Sequence, residues 1–223
     1  MNAPIVVAID GPAGAGKSTI ARRVAERLGY LYIDSGAMYR AVALWAVRNG
    51  TGLDDWHRLE QLASAADIQL EEGTNRVFLN GEDVTEAIRD EAISGAASRV
   101  SVVPGVRKAL VAKQREFALR HSVVMEGRDI GTVVFPGARV KIFLDASSQV
   151  RAARRHRQLQ DKGIENDPSE TEREIRARDN RDRTRAEAPL LQAPDAEYVD
   201  ASSMDIEAVE EAVLRLVRAR TSH

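Results

Sequence analysis

The sequence predicts an α/β fold in which a parallel sheet of five strands is flanked by helices. Three observations carry that expectation. Apolar, strand-like runs recur at 5–9, 30–33, 123–125, 140–144 and 197–199, and helical patterns separate most of them. The first run, Ile5-Val6-Val7-Ala8-Ile9, has the continuous apolar composition of a strand buried on both faces, and it leads directly into a glycine-rich turn. Between 67 and 103 the rhythm breaks into shorter runs with turn residues between them, so an insertion is expected there.

Composition bounds the function. The 223 residues are 43% hydrophobic and 30% charged, with a formal net charge of −2, enough for one sizeable domain with an insertion. With no cysteine, disulfides, thiolate nucleophiles and cysteine metal sites are excluded. The near-neutral charge predicts no nucleic-acid partner and no attraction to an anionic membrane. No apolar run approaches the ~20 residues of a membrane span. The chain enters its first strand at once with no signal peptide, and a cytoplasmic location is expected.

The turn after the first strand reads Gly11-Pro12-Ala13-Gly14-Ala15-Gly16-Lys17-Ser18, which fits Gly-x4-Gly-Lys-Ser/Thr. Ile20, Ala21, Val24, Ala25 and Leu28 follow at helical spacing. Strand, loop and helix are therefore in the order that a phosphate-binding P-loop requires. Its glycines free the backbone to aim successive N–H groups at phosphate, and the helix N-terminus adds partial positive charge. Lys17 is expected at the β- and γ-phosphates, and Ser18 on Mg²⁺. GTPases, ATPases and small-molecule kinases share this loop, so it does not name the acceptor.

The second strand ends in Asp34-Ser35-Gly36-Ala37-Met38-Tyr39-Arg40. Carboxyl ends of parallel strands face the ligand crevice. Asp34 and Ser35 suit a helix cap there, and Arg40 is placed to reach a second anion. In the insertion, Ile68-Gln69-Leu70 and Val77-Phe78-Leu79 read as short strands, Asn80-Gly81 as a tight turn, and 86–101 as a helix. Pro104-Gly105 restart a helix carried by Val106, Leu110, Val111 and Phe117. Glu126-Gly127-Arg128-Asp129 then follows the run Val123-Val124-Met125, again at a strand end.

Segment 151–185 holds eleven basic and eight acidic residues in 35 positions. Such helices usually form a solvated, salt-bridged surface. Here Arg151, Arg154 and Arg155 share one helix face, and Arg178, Asp182 and Arg185 share another. Arg forks suit phosphate, and a weakly packed helix pair suits a closing lid. Histidines 57, 121, 156 and 223 have no assigned role.

Together these motifs resemble the bacterial cytidylate kinases of the nucleoside monophosphate kinase group. The resemblance covers essentially the whole chain. It rests on the P-loop, Asp34–Arg40, Leu79-Asn-Gly-Glu-Asp-Val84 and Gly127-Arg-Asp-Ile-Gly-Thr-Val-Val-Phe-Pro136. Lys141-Ile-Phe-Leu-Asp-Ala146 and Arg178-Asp-Asn-Arg-Asp-Arg-Thr-Arg185 complete it. It implies a P-loop NTPase core over 1–66 and 104–223 with a lid at about 151–185, and a small α+β monophosphate-binding insertion over 67–103. It implies γ-phosphoryl transfer from ATP to CMP or dCMP with Mg²⁺, by a monomer. Gly11 through Thr19 would bind ATP. Ser35, Tyr39, Arg40, Arg128 and Arg185 would surround the acceptor, Arg178 and Asp182 would hold its ribose, and Ser98, Arg107 and Asp129 would read cytosine. Lys17, Arg128, Arg154, Arg155 and Arg185 would act on the transferring phosphoryl group.

Rival readings are a P-loop kinase for another acceptor such as AMP, UMP or shikimate, and a GTP-dependent switch. The first does not need this insertion with this Arg-Asp set. The second calls for an Asn-Lys-x-Asp run, which the sequence lacks. A nucleic-acid-binding role for the 151–185 arginines is opposed by the interleaved acids.

Overall fold

The computed structural model describes residues 3–71, 74, 76–161, 163 and 165–221; His223 lies outside them. Its main sheet is parallel, in the order β2 (Leu31–Asp34), β6 (Val123–Gly127), β1 (Val6–Asp10), β7 (Val140–Asp145), β8 (Glu197–Asp200). The central strands carry runs such as Val7-Ala8-Ile9, wholly buried because helices cover both faces. β1 sits between β6 and β7, so the P-loop emerges at mid-sheet with the end of β6 beside it.

One face is covered by α1 (Lys17–Leu28) and α8 (Ile206–Thr221). Ile20, Ala21 and Val24 of α1 join Val209, Val213, Leu214 and Val217 of α8 in one apolar cluster. Buried Glu210 accepts from Arg23, and Arg27 lies 3.4 Å from it, which ties the two helices together. α1 ends at Gly29 in the left-handed region (φ 65°), whose N–H returns to the Ala25 and Glu26 carbonyls.

α2 (Ser35–Arg48) starts on an Asp34 cap, with the carboxylate accepting from Ala37 N at 3.0 Å. α3 (Trp56–Ala65) leads into an antiparallel sheet of β3 (Ile68–Leu70), β4 (Val77–Leu79) and β5 (Glu82–Asp83). Asn80 and Gly81 both have positive φ, 53° and 83°, the backbone of a two-residue hairpin turn. The helix expected over 86–101 is a 3₁₀ turn at Ala87–Arg89 followed by α4 (Glu91–Val100). Asp90 separates them, because its extended backbone (ψ 143°) and its carboxylate on Ala92 N cap a new helix. α5 (Pro104–Phe117) starts at Pro104 as expected. Ile68, Leu79, Val84 and Ile93 of the insertion share a cluster with Met38, Leu59 and Leu110 of α2, α3 and α5.

After β6 the chain makes a π-helical turn, Ile130–Val134, which an apolar run disguises in the sequence. α6 (Ser148–Gln160) and α7 (Pro168–Thr184) form the charged pair, starting on Ser147 and Asp167 caps. Among the described residues no helix is long and apolar enough to cross a membrane.

Candidate active site

The P-loop takes the backbone that its glycines permit. Gly14 and Gly16 have φ of 78° and 98°. A Cβ on Gly11 would stand 1.9 Å from the Leu144 carbonyl oxygen, so β7 packs against the loop only because residue 11 is glycine. Lys17 is 5% exposed, and its Nζ donates to the Pro12 carbonyl at 2.7 Å. Burial, with Arg128 adding like charge, pulls its ammonium down to about 7. Gly14 through Thr19, with Arg154, line a cavity of about 480 Å³ whose far wall is Ala201, Met204, Ile206 and Val209. Those apolar residues suit the flat face of a nucleobase. They escape sequence reading because they lie in a loop and helix some 190 positions from the P-loop.

A second cavity, of about 250 Å³, opens on the other side of Lys17. It brings together Ser35, Tyr39, Arg40, Ser98, Arg107, Arg128, Asp129, Arg178, Asp182 and Arg185, the acceptor residues expected from the sequence. Arg128 and Asp129 join β6 to the π turn, α2 supplies Ser35, Tyr39 and Arg40, α4 and α5 supply Ser98 and Arg107, and α7 supplies Arg178 and Asp182 with Arg185 at its C-terminal cap. Buried Arg107 donates to Asp129 and to the Ser101 carbonyl at 3.1 Å, and its guanidinium lies 5.6 Å from the Tyr39 ring centroid. Arg128 Nε donates to Asp182 at 2.8 Å, and Arg40 donates to Asp34 at 2.7 Å. Ser35 Oγ donates to the Glu126 carbonyl at 2.7 Å, pinning β2 to β6.

Several polar atoms here are buried without a hydrogen-bond partner among the described residues: Arg178 Nε, Arg185 Nη2 and Tyr39 Oη. The nearest carboxylate to Arg185 Nη2 is Asp129, at 3.9 Å. Burial, then the neighbouring Arg128 charge, draws Arg178 down to about 10. Burial pushes the Tyr39 hydroxyl up to about 12. Burial raises the Asp129 carboxyl although Arg107 and Arg185 oppose it. Asp182 is also pushed up by burial, but Arg128, Arg178 and Arg185 together outweigh that and hold it below the usual range. A pocket with unpaired guanidinium donors suits an anion with several acceptor oxygens.

Sequence reasoning left two carboxylates at strand ends without roles. Glu126 is buried and accepts from Tyr32 Oη at 2.7 Å, with the Ser18 side chain beside it. Burial raises its carboxyl, and Asp34, its register partner on β2, adds to this. Asp10 accepts from Ile130 N at 2.8 Å and Gly131 N at 2.7 Å, so the end of β1 fixes the start of the π turn beside Asp129. Burial pushes the Asp10 carboxyl up to about 6. Position in the parallel sheet was the available signal for both, since each ends a strand at the crevice.

The three arginines of α6 part company. Arg151 is buried against the P-loop and α7. Arg154 donates to the Ala15 carbonyl at 3.2 Å and the Ala201 carbonyl at 2.8 Å, on the side of the P-loop cavity. Arg155, 37% exposed, lies 3.6 Å from Glu91 of α4 across the cleft.

A model of the cytidylate kinase family matches residues 7–219. The chain is 59% identical over 223 residues to a cytidylate kinase of Solibacter usitatus, covering 98% of this chain and 94% of that one. It is 53% identical over 222 residues to a cytidylate kinase of Pelotomaculum thermopropionicum, covering 98% of each. Among solved structures, a gluconokinase from Sinorhizobium meliloti superposes with a TM-score of 0.52 at 17% identity, covering 100% of both chains, a likeness of fold.

Proposed function

We infer that this chain, which belongs to the cytidylate kinase family, is an ATP-dependent nucleoside monophosphate kinase that transfers the γ-phosphoryl group of ATP to CMP or dCMP, giving ADP and CDP or dCDP. The observation that carries the site assignment is the buried pair Arg178 Nε and Arg185 Nη2, neither hydrogen-bonded among the described residues, in a cavity that runs from Lys17 to the Arg107–Asp129 pair. An acceptor phosphate satisfies those donors, and the base then reaches Arg107, Asp129 and Ser98.

The acceptor oxygen needs no general base, because a phosphate monoester loses its second proton near pKa ~6. The carboxylates around it are already engaged, Asp182 by Arg128, Asp129 by Arg107 and Asp34 by Arg40. The work left to the protein is alignment and charge stabilisation. The P-loop N–H groups and Lys17 would hold the donor phosphates. Arg128, Arg178 and Arg185 would hold the acceptor phosphate against them, and Arg155 would complete the charge clamp when α6 and α7 close. The low effective dielectric at buried Lys17 strengthens each of these interactions.

Ser18 hydroxyl and Glu126 carboxylate, with Asp34 adjacent, form an oxygen donor set that fits Mg²⁺, directly or through water. Bound with ATP, the ion would supply positive charge at the β- and γ-phosphate oxygens. Tyr32 Oη would keep Glu126 oriented toward Ser18.

The test is ADP release with Mg-ATP and a panel of CMP, dCMP, UMP, AMP, GMP and shikimate. CMP and dCMP should be the best acceptors. Preference for any other member would overturn the assignment.

A further inference from the structure

Arg151 is a buried cation with no part in holding either phosphate. It is 4% exposed, and three of its nitrogens meet three partners. Nε donates to the Ala146 carbonyl at 2.8 Å, at the end of β7. Nη1 donates to the Ala13 carbonyl of the P-loop at 3.0 Å and to Asp179 Oδ1 at 3.1 Å. Nη2 donates to Asp179 Oδ2 at 2.6 Å. A buried fork satisfied in this bidentate way is strong and geometrically demanding.

The contact with Ala13 acts on the phosphate cradle. In a trans peptide the C=O of one residue and the N–H of the next point in opposite directions. Holding the Ala13 carbonyl toward α6 therefore fixes the Gly14 N–H away from α6. Arg154 does the same for the Ala15–Gly16 peptide. Gly14 permits this approach, since a Cβ there would stand 3.2 Å from Arg151 Cβ.

The contact with Asp179 acts on the acceptor side. Asp179 neighbours Arg178 in α7 and precedes Asp182 by three residues, so its position sets how α7 presents both to the acceptor cavity. We propose that Arg151 is a positioning residue for phosphoryl transfer: by gripping the Ala13 carbonyl and Asp179 together, it couples order in the phosphate cradle to docking of α7, so that ATP binding sets the acceptor arginines. The inference rests on the assignment of the P-loop to ATP.

The test combines calorimetric titration of the full chain with Mg-ATP, without acceptor, and amide hydrogen exchange over 168–184 with and without Mg-ATP. The proteins are wild type, Arg151→Lys and Asp179→Asn. Lysine keeps the charge but cannot span both carbonyls and the carboxylate. Arg151→Lys should weaken ATP binding by about 10- to 100-fold, the effect of losing hydrogen bonds to a charged group. Asp179→Asn should still bind ATP, yet lose the slowing of exchange over 168–184 that ATP causes in wild type. ATP affinity within twofold of wild type in Arg151→Lys, or wild-type protection of α7 in Asp179→Asn, would overturn the proposal. If Arg151→Lys fails to fold, the exchange result for Asp179→Asn decides alone. A folded wild-type chain that binds no ATP would instead overturn the kinase assignment on which the coupling rests.

Discussion

Lys17 shows what a working P-loop costs at the scale of one residue. Burial lowers its ammonium from the ordinary 10.5 to about 7. Below about pH 7 both folded and unfolded states bind the proton, so the cost of the buried charge is fully present. As pH rises from 7 toward 10.5 the unfolded chain binds more protons than the folded one, and stability rises. Lys17→Met should therefore raise Tm at pH 6, by about 2–4 °C for each kcal/mol recovered in a chain of this length. The same change should lower kcat by ~10²–10³-fold or more, because it removes charge aimed at the transferring group. Thermal melts at pH 6 with steady-state assays check both effects; near-normal turnover in the folded variant would remove Lys17 from the mechanism. Asp10 makes a second case. Asp10→Ala leaves two buried N–H groups, Ile130 and Gly131, without their acceptor, each costing about 1–3 kcal/mol. Melting should show that loss, and KM for CMP should rise because Asp129 immediately precedes the π turn that Asp10 holds. An unchanged KM would confine Asp10 to stability.

At the scale of elements, the strands were the most legible part of the sequence. Runs such as Val6-Val7-Ala8-Ile9 are apolar throughout because both faces are covered, and that composition survives without any tertiary information. The Asn80-Gly81 hairpin was equally plain, since few other residues take positive φ twice in succession. What stayed hidden depends on what a face meets. Arg151, Arg154 and Arg155 share a helix face by spacing, but only the packing of α6 sends the first to Ala13 and Asp179, the second to Ala15 and the third toward Glu91. The π turn at Ile130–Val134 left no signal in the sequence, because its anchors are distant: Asp10 on the Ile130 and Gly131 N–H groups and Arg115 on the Val133 and Val134 carbonyls. Arg155 is partly exposed on α6, in the pair α6–α7 proposed as a lid. Arg155→Ala should lower kcat more than it weakens CMP binding, and a bisubstrate analogue should protect 151–185 from limited proteolysis. Cleavage that is the same with and without the analogue would return these helices to a solvated surface.

Across the whole molecule, the insertion and the core are not separable by their apolar packing. Leu79 is 4% exposed in the cluster that includes Met38 and Leu110. Leu79→Ala should cost about 2–5 kcal/mol, and it should weaken CMP more than ATP, because α4 and α5 carry Ser98 and Arg107 of the second cavity; denaturant titration and separate nucleotide titrations check this. The five-stranded sheet thus serves two cavities on either side of Lys17, one against the P-loop and Ala201–Val209, the other against α2, α4, α5 and α7. The base that the second cavity accepts decides the substrate. Cytosine offers acceptors at O2 and N3 and a donor at its amine, which match Arg107 and Asp129. Uracil presents N3–H to a donor and O4 to a carboxylate, and unpaired buried groups of this kind cost about 1–3 kcal/mol each. The deciding measurement is kcat/KM for CMP against UMP, in wild type and in Asp129→Ala. Wild type should favour CMP by roughly 10²-fold or more, and Asp129→Ala should narrow that ratio chiefly by losing CMP activity. Equal use of CMP and UMP by wild type would contradict the assignment of Arg107 and Asp129 to the base.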